Sequence, residues 1–333
     1  MPLPSSGQIA FSQLAAELGN ACTNVSLRSY SACANLTSPD GITELYGKSC
    51  IPIYGGAGTW SSGGALITAR YGLAGAGTQN EGLAIGGTNG FDLSCTEEYN
   101  GALWSTGGAL ITARRELAGA GTQNAGLASG GVSSVRVSCT EEYNGTSWSA
   151  GGSMITSRNV ISGTGTQNES IVAAGFTGAN PGVACTEEYN GSSWSVGGAL
   201  ITARYGLAMA GTQNVGLVAG GYTGTYLTNT EEYNGTSWSS GGALITARYT
   251  LMGAGTQNES LVSGGYSGAN PGISCTEEYN GTSWSTGGAL ITARWILSGL
   301  GIQGAGLLIG GYNPNILSCT EEYNKSVISK CLG

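Results

Sequence analysis

The first candidates for chemistry in this sequence are six pairs of adjacent glutamates: Glu97/Glu98, Glu141/Glu142, Glu187/Glu188, Glu231/Glu232, Glu277/Glu278 and Glu321/Glu322. Paired carboxylates can divide acid and base roles between them. Neighbours on a strand point to opposite faces, however, so each pair makes two environments and not one site. The chain has no histidine and only two aspartates, Asp40 and Asp92. That removes the commonest general base and metal ligand, and with them any Ser-His-Asp or Cys-His arrangement. The nine cysteines include no Cys-x-x-Cys spacing, so a Cys-based metal site is not expected either. The expectation is a non-enzymatic chain with no catalytic residues, no cofactor and no metal.

Six copies of one carboxylate pair point to repetition. Trp60, Trp104, Trp148, Trp194, Trp238 and Trp284 are separated by 44, 44, 46, 44 and 46 residues, the period of a solenoid or a propeller. From Arg204 onward one unit divides into four strand candidates, at 205–210 (YGLAMA), 215–221 (VGLVAGG), 228–233 (TNTEEY) and 236–239 (TSWS). Gly-Thr-Gln-Asn turns the first pair, and Asn234-Gly235 is a strong two-residue hairpin signal between the last two. Four short antiparallel strands, repeated, describe propeller blades. The Gly- and Ala-rich first strands suit the crowded axis, and Trp on the fourth offers an apolar face to a neighbouring blade.

The Gly pairs Gly86–Gly87, Gly130–Gly131, Gly220–Gly221, Gly264–Gly265 and Gly310–Gly311, with Ala174–Gly175 in the third repeat, are each followed by a Tyr and a Trp, as in Tyr99/Trp104. In this the chain resembles the kelch repeat family over about residues 53–333, with a shortened Tyr-to-Trp spacing. The resemblance implies an all-β, six-bladed propeller of four-stranded antiparallel blades over 51–333. Kelch propellers of the copper-oxidase type need histidine ligands, which this chain lacks. Closure of the ring is expected from a strand around 58–61, carrying Trp60, beside 318–324; the rival is completion by the chain's own C-terminal strand.

Within this frame Arg70, Arg114, Arg158, Arg204, Arg248 and Arg294, one per unit, read as a structural ring: an interblade ion pair with Glu, or Arg on backbone carbonyls. The functional alternative is a ring of cations binding an anion at the channel mouth. Gln of each Gly-Thr-Gln-Asn turn is expected to bond across to the next blade. Cys95, Cys139, Cys185, Cys275 and Cys319 share one repeat position and read as small buried apolar residues in a reduced compartment. Pairing of Cys50 with Cys331 is geometrically open. The sequons at Asn144, Asn234 and Asn280 read as turn chemistry.

The repeats differ most in the loops after the Gly pairs and in the residue after each Arg. In a four-stranded blade these share one face, and variation on a fixed scaffold reads as a recognition surface. The candidate binding face comprises Tyr71, Arg115, Asn180, Tyr205, Tyr222, Tyr226, Tyr249, Tyr266, Asn270, Trp295 and Tyr312; the alternative is drift on exposed loops.

Residues 1–50 lie outside the repeat, with a short helix expected over 11–18 (FSQLAAEL). The words SGQIAFSQL (6–14), VSLR (25–28), PDGI (39–42) and LYGKS (45–49) resemble the opening segment of bacteriophage tail, fibre and other virion structural proteins, and TEEYNGTSW repeats are similar to those of phage propellers. The resemblance implies a virion location, assembly in a bacterial cytoplasm, docking of 1–50 to other virion proteins in several copies or as a homo-oligomer, and a loop face that contacts a host receptor or glycan. A connector within the virion and a cytosolic kelch-type scaffold are the alternatives. With net charge −8 and 12 Lys and Arg in no basic run, nucleic acid is not an expected partner, and no apolar run reaches the length of a membrane span, so insertion is not expected.

Overall fold

The computed structural model describes residues 49–268 and 271–332, with side chains described from Gly56 to Ser326. The helix expected over 11–18, Cys22 and Cys33 lie outside the described residues, as do the side chains of Cys50 and Cys331. Gly58–Asn324 form one compact unit; residues of 49–57 and 325–332, all strand, belong to a second.

The large unit is a six-bladed β-propeller of four-stranded antiparallel sheets. Strand β1 (Ser49–Ser62) precedes blade 1, which is built from β2 (Ala74–Gly77), β3 (Gly82–Ile85), β4 (Thr96–Tyr99) and β5 (Trp104–Thr106). Blades 2 to 5 repeat this order, from β6 (Ala118–Thr122) in blade 2 to β21 (Trp284–Thr286) in blade 5. Blade 6 has the order β1-β26-β23-β22, where β22 is Ser298–Ile302, β23 is Ala305–Ile309 and β26 is Thr320–Leu332. Its outer strand therefore comes from the segment that carries Trp60, which stacks on Tyr323 at 4.9 Å between ring centroids. The first strand of each unit is shorter than its apolar run: in blade 4 it spans Ala208–Gly211. The residues before it, such as Tyr205, form single bridges above the sheet.

No central core exists in this ring. Each apolar cluster instead spans two neighbouring blades, as when Leu83 and Ile85 of blade 1 pack with Leu117, Tyr143 and Trp148 of blade 2. The last interface repeats the pattern with Leu300, Leu307 and Ile309 of blade 6 against Leu73, Tyr99 and Trp104 of blade 1. Five blades place glycine at the middle of the innermost strand (Gly75, Gly119, Gly163, Gly253, Gly299), and blade 4 places Met209 there; all six line an axial cavity of about 90 Å³. A Cβ on Gly119 would stand 2.5 Å from the carbonyl oxygen of Gly75, so blades 1 and 2 approach too closely there for a side chain, and only blade 4 admits one, Met209.

Polar bonds repeat around the whole ring. Trp148 Nε1 donates to Thr96 Oγ1 of the preceding blade at 3.0 Å, and Trp60 makes the equivalent bond to Thr276 at 2.9 Å. Tyr143 Oη donates to Glu98 of the preceding blade at 2.6 Å, and Tyr99 closes the set on Glu322, also at 2.6 Å. Gln123 Nε2 donates to the carbonyls of Gly82 and Tyr99, and Gln79 closes on Gly306 and Tyr323. The turn glutamines thus bond to the preceding blade and not to the next.

The two glutamates of each pair part company, as alternation on a strand requires. The second holds the seam tyrosine. The first is buried with arginine of its own blade: Arg204 Nη2 lies 2.9 Å from Glu231 Oε1, and Arg248 Nη2 2.9 Å from Glu277 Oε1. Arg70, Arg114, Arg158 and Arg294 pair likewise with Glu97, Glu141, Glu187 and Glu321. The ion pair is within a blade and not between blades, because arginine stands in the segment that leads into the first strand and its side chain reaches the third strand of the same sheet. Carbonyls supplement it, as in Arg248 Nη1 on Gly264 and Cys275. All six guanidiniums are fully buried, so they present no charge at the channel mouth.

The five repeat-position cysteines are free. Four are half-buried and Cys275 is exposed, which corrects their expected place in the core. Their position lies just before the third strand, beyond the end of its ladder. The asparagines of the hairpins serve the turn: Asn144 Oδ1 accepts from the amides of Thr146 and Ser147.

If Trp60 belongs to the ring, Trp60→Ala should destabilise the protein as much as Trp194→Ala, by about 3–5 kcal/mol. Urea unfolding of the two variants checks this, and a loss below about 1 kcal/mol for Trp60→Ala alone would show that β1 is dispensable.

Candidate functional site: an aromatic arc around the propeller mouth

Two residues per blade build the mouth. The residue after the buried arginine bridges the residue after the Gly pair: Tyr71 with Thr88, Arg115 with Val132, Asn159 with Phe176, Tyr205 with Tyr222, Tyr249 with Tyr266 and Trp295 with Tyr312. Both variable positions therefore meet on one face. The second glycine of each pair fixes the height of this layer. Gly87 N donates to the Arg114 carbonyl of the next blade at 2.9 Å, and Gly311 closes the set on Arg70 at 3.0 Å. Gly87 has φ +100°, and a Cβ there would meet the Tyr71 carbonyl oxygen at 2.9 Å.

One residue further in, the backbone closes a hydrogen-bonded hexagon around the axis. Glu116 N donates to Gly72 O, Val160 to Glu116, Gly206 to Val160, Thr250 to Gly206, Ile296 to Thr250 and Gly72 to Ile296, at 2.6–3.1 Å. Every member has positive φ, from 50° at Thr250 to 65° at Gly206. Only two of the six are glycine, so the ring imposes the conformation on Val160, Thr250 and Ile296, where a branched Cβ makes it costly. These residues line a cavity of about 70 Å³ at the mouth.

Above this floor the side chains form a continuous arc. From Phe176 it runs to Tyr205 (5.0 Å between centroids), Tyr222 (5.6 Å), Tyr226 (5.4 Å) and Tyr249 (5.7 Å). It continues through Tyr266 (5.9 Å), Trp295 (5.1 Å) and Tyr312 (5.9 Å) to Tyr71 (5.5 Å). All nine rings are half-buried. The remaining sector, over blades 1 to 3, carries charged and amide side chains beside Val132 and the exposed Phe91 and Val135 of the loops. Arg115 pairs with Asp92. Arg136 Nε donates to Asn159 Oδ1 at 2.9 Å, and Asn159 Nδ2 to Glu116 Oε2 at 2.5 Å. The Arg136 guanidinium lies 4.8 Å over the Phe176 ring, which joins the two sectors.

Of the candidate residues, Tyr71, Tyr205, Tyr222, Tyr226, Tyr249, Tyr266, Trp295 and Tyr312 thus stand in one arc, and Arg115 stands in the polar sector. Asn180 is exposed on the blade 3 loop and makes none of these contacts; Asn270 lies outside the described residues. Phe176, Asp92, Glu116 and Arg136 join the mouth unannounced. Rarity was the available signal: Phe176 is one of three phenylalanines, and Asp92 one of two aspartates.

The arc offers ring faces and neutral hydroxyls. Burial, then the neighbouring Tyr226, Tyr205 and Tyr266 phenols, push Tyr249 up to about 12. Burial also raises Tyr205 and Tyr226. Phenols in this state donate and accept hydrogen bonds over the whole neutral range, and aromatic faces with a polar tip suit amphipathic ligands. Among the described residues, no group of three or more Cys, Asp or Glu could hold a metal ion.

Two predictions follow from this geometry. Val160→Gly should stabilise the protein by about 0.5–1 kcal/mol, since relief of positive-φ strain exceeds the added backbone entropy; a lower denaturation midpoint would show that the valine side chain holds the mouth. The folded pKa of Tyr249 lies above its unfolded value near 10, so its contribution to stability is complete below pH about 10 and is lost as pH rises toward about 12. Phenolate absorbance should therefore show a late-titrating group that shrinks in Tyr249→Phe; an unchanged titration would contradict the burial of that hydroxyl.

No protein-family model matches the chain, and no curated protein matches it in sequence.

Proposed function

We propose that this chain is a non-enzymatic structural protein of a bacteriophage virion, a fibre or decoration component, whose kelch-like propeller holds a glycan or receptor of the host surface on its loop face. The observation that carries the reading is the arc of nine aromatic rings, placed on the face where the repeats differ. Elsewhere the blades repeat the same bonds at every interface, which is what a rigid support needs. Half-buried tyrosines and a tryptophan lose little conformational entropy on binding, and they are the residue types that dominate contact energy at binding surfaces. The apolar faces of pyranose rings match aromatic faces, while their hydroxyls match phenols. The phage-type words of residues 1–49 support attachment of this segment to other virion proteins, in several copies.

The test is binding to an array of bacterial surface glycans. Trp295→Ala and Tyr249→Ala should each weaken binding about thirty-fold or more, as expected for central anchors. Exchange of loops 177–184 and 267–274 should alter which glycans are held. Binding unchanged in all of these variants would remove the loop face as the receptor site.

A further inference from the structure

The polar end of the arc distinguishes one class of ligand from another. Arg136 lies on the blade 2 loop, half-buried. Its position is set by two contacts: Nε donates to Asn159 Oδ1 at 2.9 Å, and the guanidinium plane lies 4.8 Å over Phe176. Asn159 is itself held by Glu116. Arg70, Arg114, Arg115, Arg158, Arg204, Arg248 and Arg294 each have a carboxylate partner. Among the described arginines, Arg136 alone has none within ion-pair distance, and no described residue accepts from its Nη1 or Nη2. The fork is therefore fixed at its base and open at its tip. Gly178 of the blade 3 loop borders it: a Cβ there would stand 3.4 Å from Nη1, in ordinary contact.

We infer that the mouth takes a carboxylated oligosaccharide: its sugar faces lie on the Tyr and Trp arc, and its carboxylate accepts from both terminal nitrogens of Arg136. A planar fork held at its base suits bidentate recognition of a carboxylate, and little freedom remains to be lost on binding. Phe176 connects the two halves, since the ring under Arg136 also packs on Tyr205 at 5.0 Å. A carboxylate placed here has a stacked sugar beside it in the arc. The chain's net charge of −8 does not draw anions from a distance, so selection rests on this local contact. The inference rests on the loop-face reading above and adds the charge class of the ligand.

The experiment uses the full chain on an array of uronic and sialic acid oligosaccharides, each printed beside its carboxyl-reduced counterpart, together with phosphorylated oligosaccharides. The wild type should prefer the carboxylated member of a pair by about ten- to hundred-fold, the range of a charge-assisted pair of hydrogen bonds. Arg136→Gln, at a half-exposed side chain, should abolish that preference, so that carboxylated and reduced members bind alike, while retaining the unfolding midpoint. Trp295→Ala should weaken both members alike. Equal binding of carboxylated and reduced members by the wild type, or a preference that survives in Arg136→Gln, overturns the carboxylate while leaving the loop-face reading intact. Preference for the phosphorylated set also overturns it. Absence of binding to any glycan overturns both.

Discussion

A guanidinium with no solvent exposure stands at the entry to every blade, and the rest of each blade is arranged around it. An unpaired charge in that position would be prohibitive. The first glutamate of the Thr-Glu-Glu-Tyr word supplies the partner, and its carboxylate is used further: Glu231 accepts from the amides of Ile201 and Thr202 as well as from Arg204. Those amides belong to the chain that crosses from the preceding blade. One carboxylate therefore ties a blade's third strand, its entry arginine and the crossover that reaches it. Such a pair adds little net stability against an apolar substitute, yet loss of one member is severe. Loss of that carboxylate would leave the arginine and two crossover amides unpaired at once.

The interfaces work by the same economy. Blades rich in glycine and alanine carry little side-chain surface, and a single hydrophobic core is absent. Tyr–Glu, Trp–Thr and Gln–carbonyl bonds supply direction, while Leu, Ile, Tyr and Trp supply apolar area. At the mouth the backbone itself completes a hexagon and holds three β-branched residues at positive φ. A scaffold fastened at this many repeated points can vary its loop face without moving its frame. The loop face is where the aromatic rings are found, with the only arginine among the described residues that has no carboxylate partner.

Much of the frame was legible in the residue order. Trp spacing counted the blades, Gly pairs marked the ends of second strands, and strand alternation separated Glu97 from Glu98. Three readings needed correction, and two of them concern direction in three dimensions. Arginine pairs within its blade, and the turn glutamine reaches backward, because side-chain reach depends on the tilt of one strand against the next. The cysteines misled for a related reason: an apolar residue at a recurrent position looks like core, whereas Cys275, just before the third strand of its blade, is exposed.

What the sequence determined by itself is the repeating part: a local pattern of turns and alternation that any one unit displays, six times over. What only the tertiary structure decided is the site. Phe176 and Tyr71 are distant in the chain and meet nothing in their own repeats that marks them as ends of one arc. Ring closure brings blade 6 against blade 1, and it is this closure that turns variable positions, one or two per repeat, into a continuous surface with an aromatic side and a charged end.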